Sequence, residues 1–186
     1  MKFFFHYSPE NFANTYLLGP EGGGDAILID PGTLEIPFFK IIEENDFYIR
    51  NIFVTSNDSS HLRGLRTIKK IYDAQVWSRE GRILDFECNS INPGMKIPLP
   101  LATVEAWAFP EYHSDALAYR INNWLFCGDI LRAGRPGRTR NPETRFRLLE
   151  ALEKRLYSLQ DDLVIFPGEG PPTTIKSEKL FNLRFR

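Results

Sequence analysis

Residues 54–64, VTSNDSSHLRG, place small polar side chains and one histidine between two apolar segments. The apolar run before them is typical of a buried strand, and the segment LRGLRTIKKIY that begins at Leu62 has helical spacing. Asn, Asp and Ser are preferred at helix N-termini and in turns, which favours a capped loop. A histidine among hydroxyls, an amide and a carboxylate is also typical of an active site. The stretch is therefore either a capped loop or part of an active site.

Polar or turn chemistry follows four predicted strands in the same way. The strands end in LIDPG, FVTSND, LFCGD and IFPGEG. Functional groups tend to collect at such ends, because a rigid strand delivers a side chain to a fixed point. The apolar runs ILI, IFV and LVIF that precede these ends indicate strands covered on both faces.

The elements that must position these ends fall into two blocks. KFFFHY, TYLLG, DAILI, RNIFVT and AQVWS predict strands in the first block, with a hairpin at GPEGGGD and helices over 35–45 and about 61–72. MKIPL, ATVEAWAF, ALAYRI, WLFCGD and DLVIFPG predict strands in the second block, with a hairpin turn at Asn122-Asn123. Two blocks of strands, each closed by helices, indicate two packed sheets with helices outside.

Two helices are predicted in the last third of the chain. Asn141, Pro142 and Glu143 supply an N-cap, a proline in the first turn and a first-turn acid. The buried stripe of that helix is predicted at Phe146, Leu149, Leu152, Leu156 and Leu159. KSEKLFNL, residues 176–183, predicts a short final helix.

Composition narrows the function classes. The chain of 186 residues is 42% hydrophobic and has a net charge of −1, which suits one globular domain and gives no general attraction to nucleic acid or an anionic membrane. It has two cysteines and no CxxC pair, and neither a signal peptide nor an apolar run of roughly 20 residues is evident. A cytoplasmic location, without nucleic-acid or membrane partners, is expected.

Five motifs in order resemble those of the metallo-β-lactamase superfamily, in its glyoxalase II-like branch. They are NTYLL with ILIDPG, IFVTSNDSSHLRGL, FPEYHSDALAYRI, WLFCGDIL and VIFPGEGPPTT, and they extend from Asn14 to about Asn182. The resemblance implies an α/β (α+β) fold, a four-layer αββα sandwich, with a two-metal hydrolytic site along one edge of the sheets. It also implies a single domain over 1–186, without the helical C-terminal domain of glyoxalase II.

Most metal-ligand positions implied by the resemblance have changed residue type. The family motif T-H-x-H-x-D-H-x-x-G aligns with residues 55–64. Its two leading histidines correspond to Ser56 and Asp58, its aspartate corresponds to Ser60, and His61 alone is retained.

The later ligand positions are also altered. The family motif P-G-H-T falls on residues 110–113, where Tyr112 holds the ligand position and His113 follows it. The bridging aspartate is retained as Asp129, and Glu169 replaces the last histidine. Tyr112 and Trp107 are alternatively predicted to form the floor of a small-molecule pocket.

These replacements argue against a two-zinc centre. Zinc sites in the family combine imidazoles with carboxylates, and a serine hydroxyl is a weak, neutral donor. His61, Asp129 and Glu169, with Asp58 as a further donor, can supply ligands to a single divalent ion such as Zn²⁺, Mn²⁺ or Fe²⁺. The cofactor is therefore either no metal or one divalent metal, and Asp58 and Asp129 are the candidate catalytic residues.

Charge balance gives a second expectation. If Asp58, Asp129 and Glu169 converge on one cleft, their like charges need a partner, because like charges disfavour joint ionisation. That partner is a metal ion, protonation or a basic side chain. The candidate basic residues are Arg63, Arg132, Arg135 and Arg138.

Three functions remain open on this evidence. The favoured one is a member with a degenerate metal site that binds a small-molecule ligand or a protein partner. The alternative is a mononuclear metal-dependent hydrolase of a small ester, thioester or lactone. The third is a scaffold subunit with a vestigial cleft.

Overall fold

The computed structural model describes residues 1–182 of the chain. Its strands are β1 (Lys2–Tyr7), β2 (Asn14–Gly19), β3 (Gly24–Ile29), β4 (Phe47–Phe53), β5 (Gln75–Ser78), β6 (Arg82–Ile83), β7 (Phe86–Glu87), β8 (Asn89–Ser90), β9 (Lys96–Pro98), β10 (Thr103–Ala108), β11 (Leu117–Ile121), β12 (Trp124–Gly128), β13 (Leu131–Arg132), β14 (Arg135–Pro136), β15 (Val164–Pro167) and β16 (Thr173–Thr174). Its helices are α1 (Ile36–Glu44), α2 (Ser59–Leu62), α3 (Leu65–Ile71), α4 (Pro142–Arg155) and α5 (Ile175–Phe181).

Two mixed sheets form the centre of the fold. The first has the strand order β1-β2-β3-β4-β5-β8, and the second has the order β16-β15-β12-β11-β10-β9. Strands β3, β4, β5 and β8 run parallel to one another, as do β12 and β15, and the other neighbours are antiparallel. Parallel neighbours bring the ends of β3 and β4 to one edge of their sheet, and those of β12 and β15 to one edge of the other.

The core has three apolar layers. Ile27 and Phe53 of the first sheet pack with Tyr119 and Phe126 of the second, which joins the two sheets face to face. The outer face of the first sheet packs against α1 and α3. The outer face of the second sheet packs against α4 and α5. Residues 26–29 of β3 are all buried, as expected for a strand covered on both faces. The predicted αββα sandwich is confirmed.

Several local predictions are also confirmed. Asn122-Asn123 joins β11 to β12 in an antiparallel hairpin, and Asn122 has a φ of 55°. Asn141 caps α4 by accepting a hydrogen bond from the Thr144 N–H, with Pro142 at the start of the helix. The final helix α5 covers most of the predicted 176–183 segment. The last residue of that predicted segment lies outside the described residues. So does the end of the predicted single domain, residues 183–186.

Two helix predictions need correction. The segment 61–72 forms two helices, α2 and α3, which are separated at Gly64. The Gly64 N–H donates to the Pro31 carbonyl, and a Cβ at Gly64 would lie 2.4 Å from the Gly32 oxygen. This close approach fixes the chain against the turn after β3 and prevents one continuous helix.

The predicted buried stripe of α4 is wrong at its start. Phe146 is 63% exposed, and the buried positions are Leu148, Ala151 and Leu152, with Leu156 just after the helix. Positions 148, 152 and 156 recur every four residues on one helix face, whereas Phe146 lies on another face. Within residues 1–182, no helix is both long and apolar enough to span a membrane.

Candidate functional site

Loops that follow four strands lie together at one edge of the sandwich. Asp30 follows β3, His61 lies in α2 after β4, Asp129 follows β12 and Glu169 follows β15. Asp30 contacts His61, and His61 contacts Asp129. Three of the four strand ends therefore contact one another through His61.

His61 is the buried centre of this group. Its Nδ1 atom lies 3.2 Å from Oδ2 of Asp30, and its Nε2 atom lies 3.2 Å from Oδ2 of Asp129. Burial alone would lower the pKa of His61, but the two carboxylates outweigh that effect and raise the pKa well above its ordinary value. The imidazole is therefore held between two negative groups, fully shielded from solvent.

Asp30 supports His61 from the first sheet. The Asp30 carboxylate accepts hydrogen bonds from the backbone N–H of Thr55, at 2.7 Å, and from its hydroxyl, at 2.6 Å. Its backbone has a φ of 49°, a conformation that aspartate tolerates better than most residues. The contact of Asp30 with His61 orients the imidazole.

Close packing also fixes the opposite side of His61. A Cβ at Gly168 would lie 2.5 Å from Cε1 of His61 and 2.9 Å from Oδ1 of Asp129. Only glycine allows the β15 loop to approach the imidazole this closely. Glu169 follows directly, and its backbone forms an isolated bridge with Ala13.

Arg132 lies between the carboxylates of Glu169 and Asp129. Its Nη1 atom is 2.6 Å from Oε2 of Glu169, and its Nη2 atom is 3.9 Å from Oδ1 of Asp129. The side chain is 14% exposed, so it is a partly buried cation and not a solvated one. Of the candidate basic residues, Arg132 is the one that lies against both Glu169 and Asp129.

The buried carboxylate of Glu178 holds the hairpin that carries Arg132. Strands β13 and β14 form a two-stranded hairpin with Gly134 in its turn. The Gly134 N–H donates to the carboxylate of Glu178 in α5, which also accepts from Thr173 and Asn182. Glu178 is 2% exposed. Sequence reasoning missed this residue because a single glutamate in a short helix carries no distinctive pattern.

Asp58, predicted as a candidate catalytic residue and metal ligand, lies at the start of a helix. It is the N-cap of α2, and its Oδ1 atom accepts hydrogen bonds from the N–H and hydroxyl of Ser60. Burial acts to raise the pKa of Asp58, but these hydrogen bonds outweigh it and lower the pKa. The carboxylate is therefore ionised and engaged with the helix start, which confirms the capped-loop interpretation of TSNDSS.

A polar cleft of about 370 Å³ adjoins this group. Its lining includes Ser56, Asn57, Asp58, Glu80, Tyr112, His113, Asp115, Asp129, Arg138 and Arg140. Tyr112 lines the cleft, and burial followed by the nearby charge of Asp129 raises its pKa to about 12. It is a neutral phenol at physiological pH and can only exchange hydrogen bonds. Trp107 packs against the core under α4 and does not line the cleft.

A histidine–aspartate pair forms one wall of the cleft. The Nδ1 atom of His113 contacts Oδ1 of Asp115, and the Asn57 N–H donates to Oδ2 of Asp115 at 2.6 Å. Asp115 is buried, whereas the His113 side chain is 48% exposed. The family motif aligned with residues 110–113 ends at His113 and does not include Asp115. The only available signal was the spacing of two residues in YHSD.

Known proteins resemble this chain at low sequence identity. No family model matches it. An uncharacterized protein of Treponema pallidum is 27% identical over 182 residues, which covers 94% of each chain. A hydroxyacylglutathione hydrolase of Tolumonas auensis is 26% identical over 150 residues, which covers 78% of this chain and 57% of that enzyme. The chain therefore spans just over half the length of that hydrolase.

Solved structures establish the fold. ETHE1 from Myxococcus xanthus superposes with a TM-score of 0.87 over 100% of this chain and 84% of its own, at 24% identity. The B3 metallo-β-lactamase BLEG-1 gives a TM-score of 0.85 over 99% of both chains, at 18% identity. The chain has the metallo-β-lactamase fold. Its resemblance to the glyoxalase II-like branch, predicted from the motifs, is supported by the hydroxyacylglutathione hydrolase relatives.

Metal ions occur in this group of folds, so the donor set of this chain needs a test. TTHA1623, a protein solved in a di-iron-bound form, superposes with a TM-score of 0.81 over 96% of this chain and 98% of its own, at 21% identity. Within residues 1–182 of the present chain, no three His, Cys, Asp or Glu side chains are grouped to hold an ion. The Asp58 carboxylate accepts a hydrogen bond from the Ser60 N–H, and the Glu169 carboxylate forms an ion pair with Arg132. In this arrangement Asp58 and Glu169 are each engaged with another protein group.

The two cysteines of this metallo-β-lactamase-fold protein differ in accessibility, which gives a simple test of the site. Burial raises the pKa of Cys127, next to the β12 strand end, to about 12, whereas Cys88 is only partly buried. Since the thiolate is the reactive form, iodoacetamide should modify Cys88 first in the native protein. Peptide mass spectrometry over time measures both rates, and urea should abolish the difference. Equal native rates would contradict the burial of the β12 strand end.

Proposed function

We propose that this protein binds a small polar ligand in the cleft without a catalytic metal ion, because Arg132 neutralises the carboxylates that a metal would otherwise neutralise. The observation that carries the proposal is the contact of 2.6 Å between Nη1 of Arg132 and Oε2 of Glu169. The same guanidinium lies 3.9 Å from Asp129. A fixed cation there repels a divalent ion and satisfies the charge balance.

The chemistry of the other former ligand positions supports the proposal. Ser56 is a weak zinc donor, and Tyr112 holds its proton at physiological pH. His61 faces a carboxylate at each ring nitrogen. A histidine must present a neutral nitrogen to bind a metal, so His61 would have to release the proton that faces Asp129 before Nε2 could bind one.

The shape and lining of the cleft indicate the kind of ligand. About 370 Å³ is enough for a small metabolite, and the lining carries both signs of charge. Arg138 contributes positive charge, and it has no ion pair or hydrogen bond among the described residues. Asp58, Glu80 and Asp129 contribute negative charge. A ligand with both anionic and donor groups would complement this lining.

One observation favours the alternative of a mononuclear metal-dependent hydrolase. Oδ1 of Asp129 is buried and has no hydrogen-bond partner within residues 1–182. Buried polar atoms without partners require an explanation, and a bound ion is one. His61 and Asp129, joined by Glu169 if Arg132 moved away, would then hold that ion.

Metal analysis separates the two functions. Protein purified without chelator or affinity metal should contain substoichiometric zinc, iron and manganese by inductively coupled plasma mass spectrometry, because Arg132 occupies the charge-balancing position. The matched variants are His61→Ala, which removes the central imidazole, and His6→Ala, whose Nε2 contacts the Thr33 carbonyl away from the cleft. One ion per chain in the wild type and in His6→Ala, lost in His61→Ala, would overturn the proposal and establish the mononuclear site.

A further inference from the structure

His113 and Asp115 on the cleft wall have the geometry of a general acid–base pair. The Asp115 carboxylate is fixed by the Asn57 N–H at 2.6 Å and is 6% exposed, so its position is set by the fold. It contacts Nδ1 of His113, and a carboxylate at that nitrogen keeps a proton there. The other ring nitrogen, Nε2, then carries the lone pair.

That lone pair is accessible from the cleft. Nη2 of Arg140 lies 3.3 Å from Nε2 of His113, with the guanidinium as donor. Arg140 is exposed, and both residues line the cleft. An exposed arginine reorients at little cost, so a water molecule can take its place at Nε2. The imidazole is thus oriented by a buried acid on one side and available for proton transfer on the other.

We propose that His113 and Asp115 give this cleft a metal-independent hydrolytic activity toward small carboxylic esters. Nε2 of His113 takes a proton from water as the water oxygen attacks the ester carbonyl carbon. The carbonyl oxygen becomes an oxyanion, which the guanidinium of Arg140 stabilises. The acyl–oxygen bond then breaks, and the leaving alkoxide takes the proton from Nε2. One ester and one water yield one acid and one alcohol, and His113 is regenerated.

The substrate class follows from the charges beside the pair. Arg138 lines the same cleft and forms no ion pair within the described part of the chain. An ester with an anionic group can place that group on Arg138 and its carbonyl near Arg140. The inference rests on the proposed function only in requiring that the cleft admit a small ligand. It does not require the site at His61 to be free of metal.

The test uses 4-nitrophenyl acetate and the anionic 4-nitrophenyl succinate as probes, with EDTA present. The wild type should release nitrophenol catalytically and faster from the succinate ester. His113→Gln should lose about 100-fold in kcat, within the range typical of a general base. Asp115→Asn should lose about 10-fold in kcat with KM little changed, because it disorients the base without touching the ester. Asp115→Glu, which keeps a carboxylate, should recover part of the loss.

The matched control is His6→Gln, which replaces a histidine outside the cleft and should keep the wild-type kcat. Circular dichroism checks that each variant is folded. Diethyl pyrocarbonate on the wild type provides a second measurement that needs no variant. It should modify half-exposed His113 before buried His61, and activity should fall in step with that modification. The inference is overturned by the absence of turnover above the buffer rate, by equal rates in His113→Gln, or by activity lost with EDTA.

The two proposals fail separately in these experiments. Stoichiometric metal together with EDTA-resistant, His113-dependent turnover would overturn the metal-free function and leave the histidine–aspartate activity standing. A metal-free protein with no turnover would support the metal-free function and overturn the inferred activity.

Discussion

Replacing Asp30 with alanine should lower the free energy of unfolding by about 3–5 kcal/mol, the range found when one partner is removed from a buried charged network. The change removes the acceptor for two short hydrogen bonds from Thr55 and one carboxylate from His61. It leaves a buried N–H, a buried hydroxyl and a buried imidazole nitrogen without partners. The φ of 49° adds strain for alanine, of about 1–2 kcal/mol.

Urea unfolding followed by fluorescence measures this loss. Asp30→Asn keeps an acceptor and a side chain that tolerates the backbone conformation, so it should be less destabilised than Asp30→Ala. The matched control is Asp25→Ala, near the start of the strand that precedes Asp30, whose ion pair with Arg50 at 3.6 Å is half exposed. That control should change stability by less than about 1 kcal/mol. If Asp30→Ala unfolds at the same urea concentration as the control, Asp30 does not hold the site together.

The same residue shows how far the sequence predicts this site. ILIDPG predicts a buried strand that ends in a turn, and both features follow from local patterns of apolar and turn residues. The contact between Asp30 and His61 joins positions 31 residues apart through two neighbouring parallel strands. No local pattern specifies that distance. The motif order fixes it only through the resemblance to a known fold.

Arg132 shows the other limit of sequence reasoning. RAGRPGRTR contains four arginines at 132, 135, 138 and 140, and nothing in the spacing distinguishes the buried one. The distinction arises because the β13–β14 hairpin is fixed by Glu178, which turns Arg132 toward Glu169. Arg135 on the facing strand remains exposed. Charge balance predicted a metal ion, protonation or a basic side chain, and tertiary packing decides which basic side chain lies beside Glu169.

Periodicity predicts the buried face of helix α4 only in part. Leu152 and Leu156 were placed correctly in the buried stripe, because leucines at a spacing of four share a face. Helical spacing of apolar residues predicts Phe146 on the same face, yet it is largely exposed. Hydrophobicity alone does not fix the register of a short amphipathic helix when several registers contain leucine.

Replacing Arg132 with alanine should both destabilise the protein and create a response to metal ions. Without the guanidinium, Glu169 and Asp129 lose their cation and join Asp30 as neighbouring negative charges. The loss in unfolding free energy at neutral pH should be about 2 kcal/mol, below the range for fully buried pairs because Glu169 is 26% exposed. The freed carboxylates and His61 then form an oxygen-rich donor set that suits Mn²⁺.

Urea unfolding with and without manganese measures both effects. A divalent ion at 100 times its dissociation constant should restore about 2.7 kcal/mol to Arg132→Ala, by its preference for the folded state. Manganese should not stabilise the wild type, since Arg132 already lies against Glu169 and Asp129. Mn²⁺ is the better probe because Zn²⁺ also binds cysteine thiolates exposed on unfolding. The matched control is Arg135→Ala on the same hairpin, which has no ion pair within residues 1–182 and should behave as the wild type.

The manganese responses of the wild type and Arg132→Ala together show whether the site can hold an ion. An equal response of wild type and Arg132→Ala would show that the arginine yields its place to a metal ion, as a mononuclear hydrolase requires. No response in either protein would show that His61, Asp129 and Glu169 cannot hold an ion even without Arg132. A response confined to Arg132→Ala would establish that one arginine side chain keeps this metallo-β-lactamase fold free of metal, because it already supplies the positive charge that the carboxylates require.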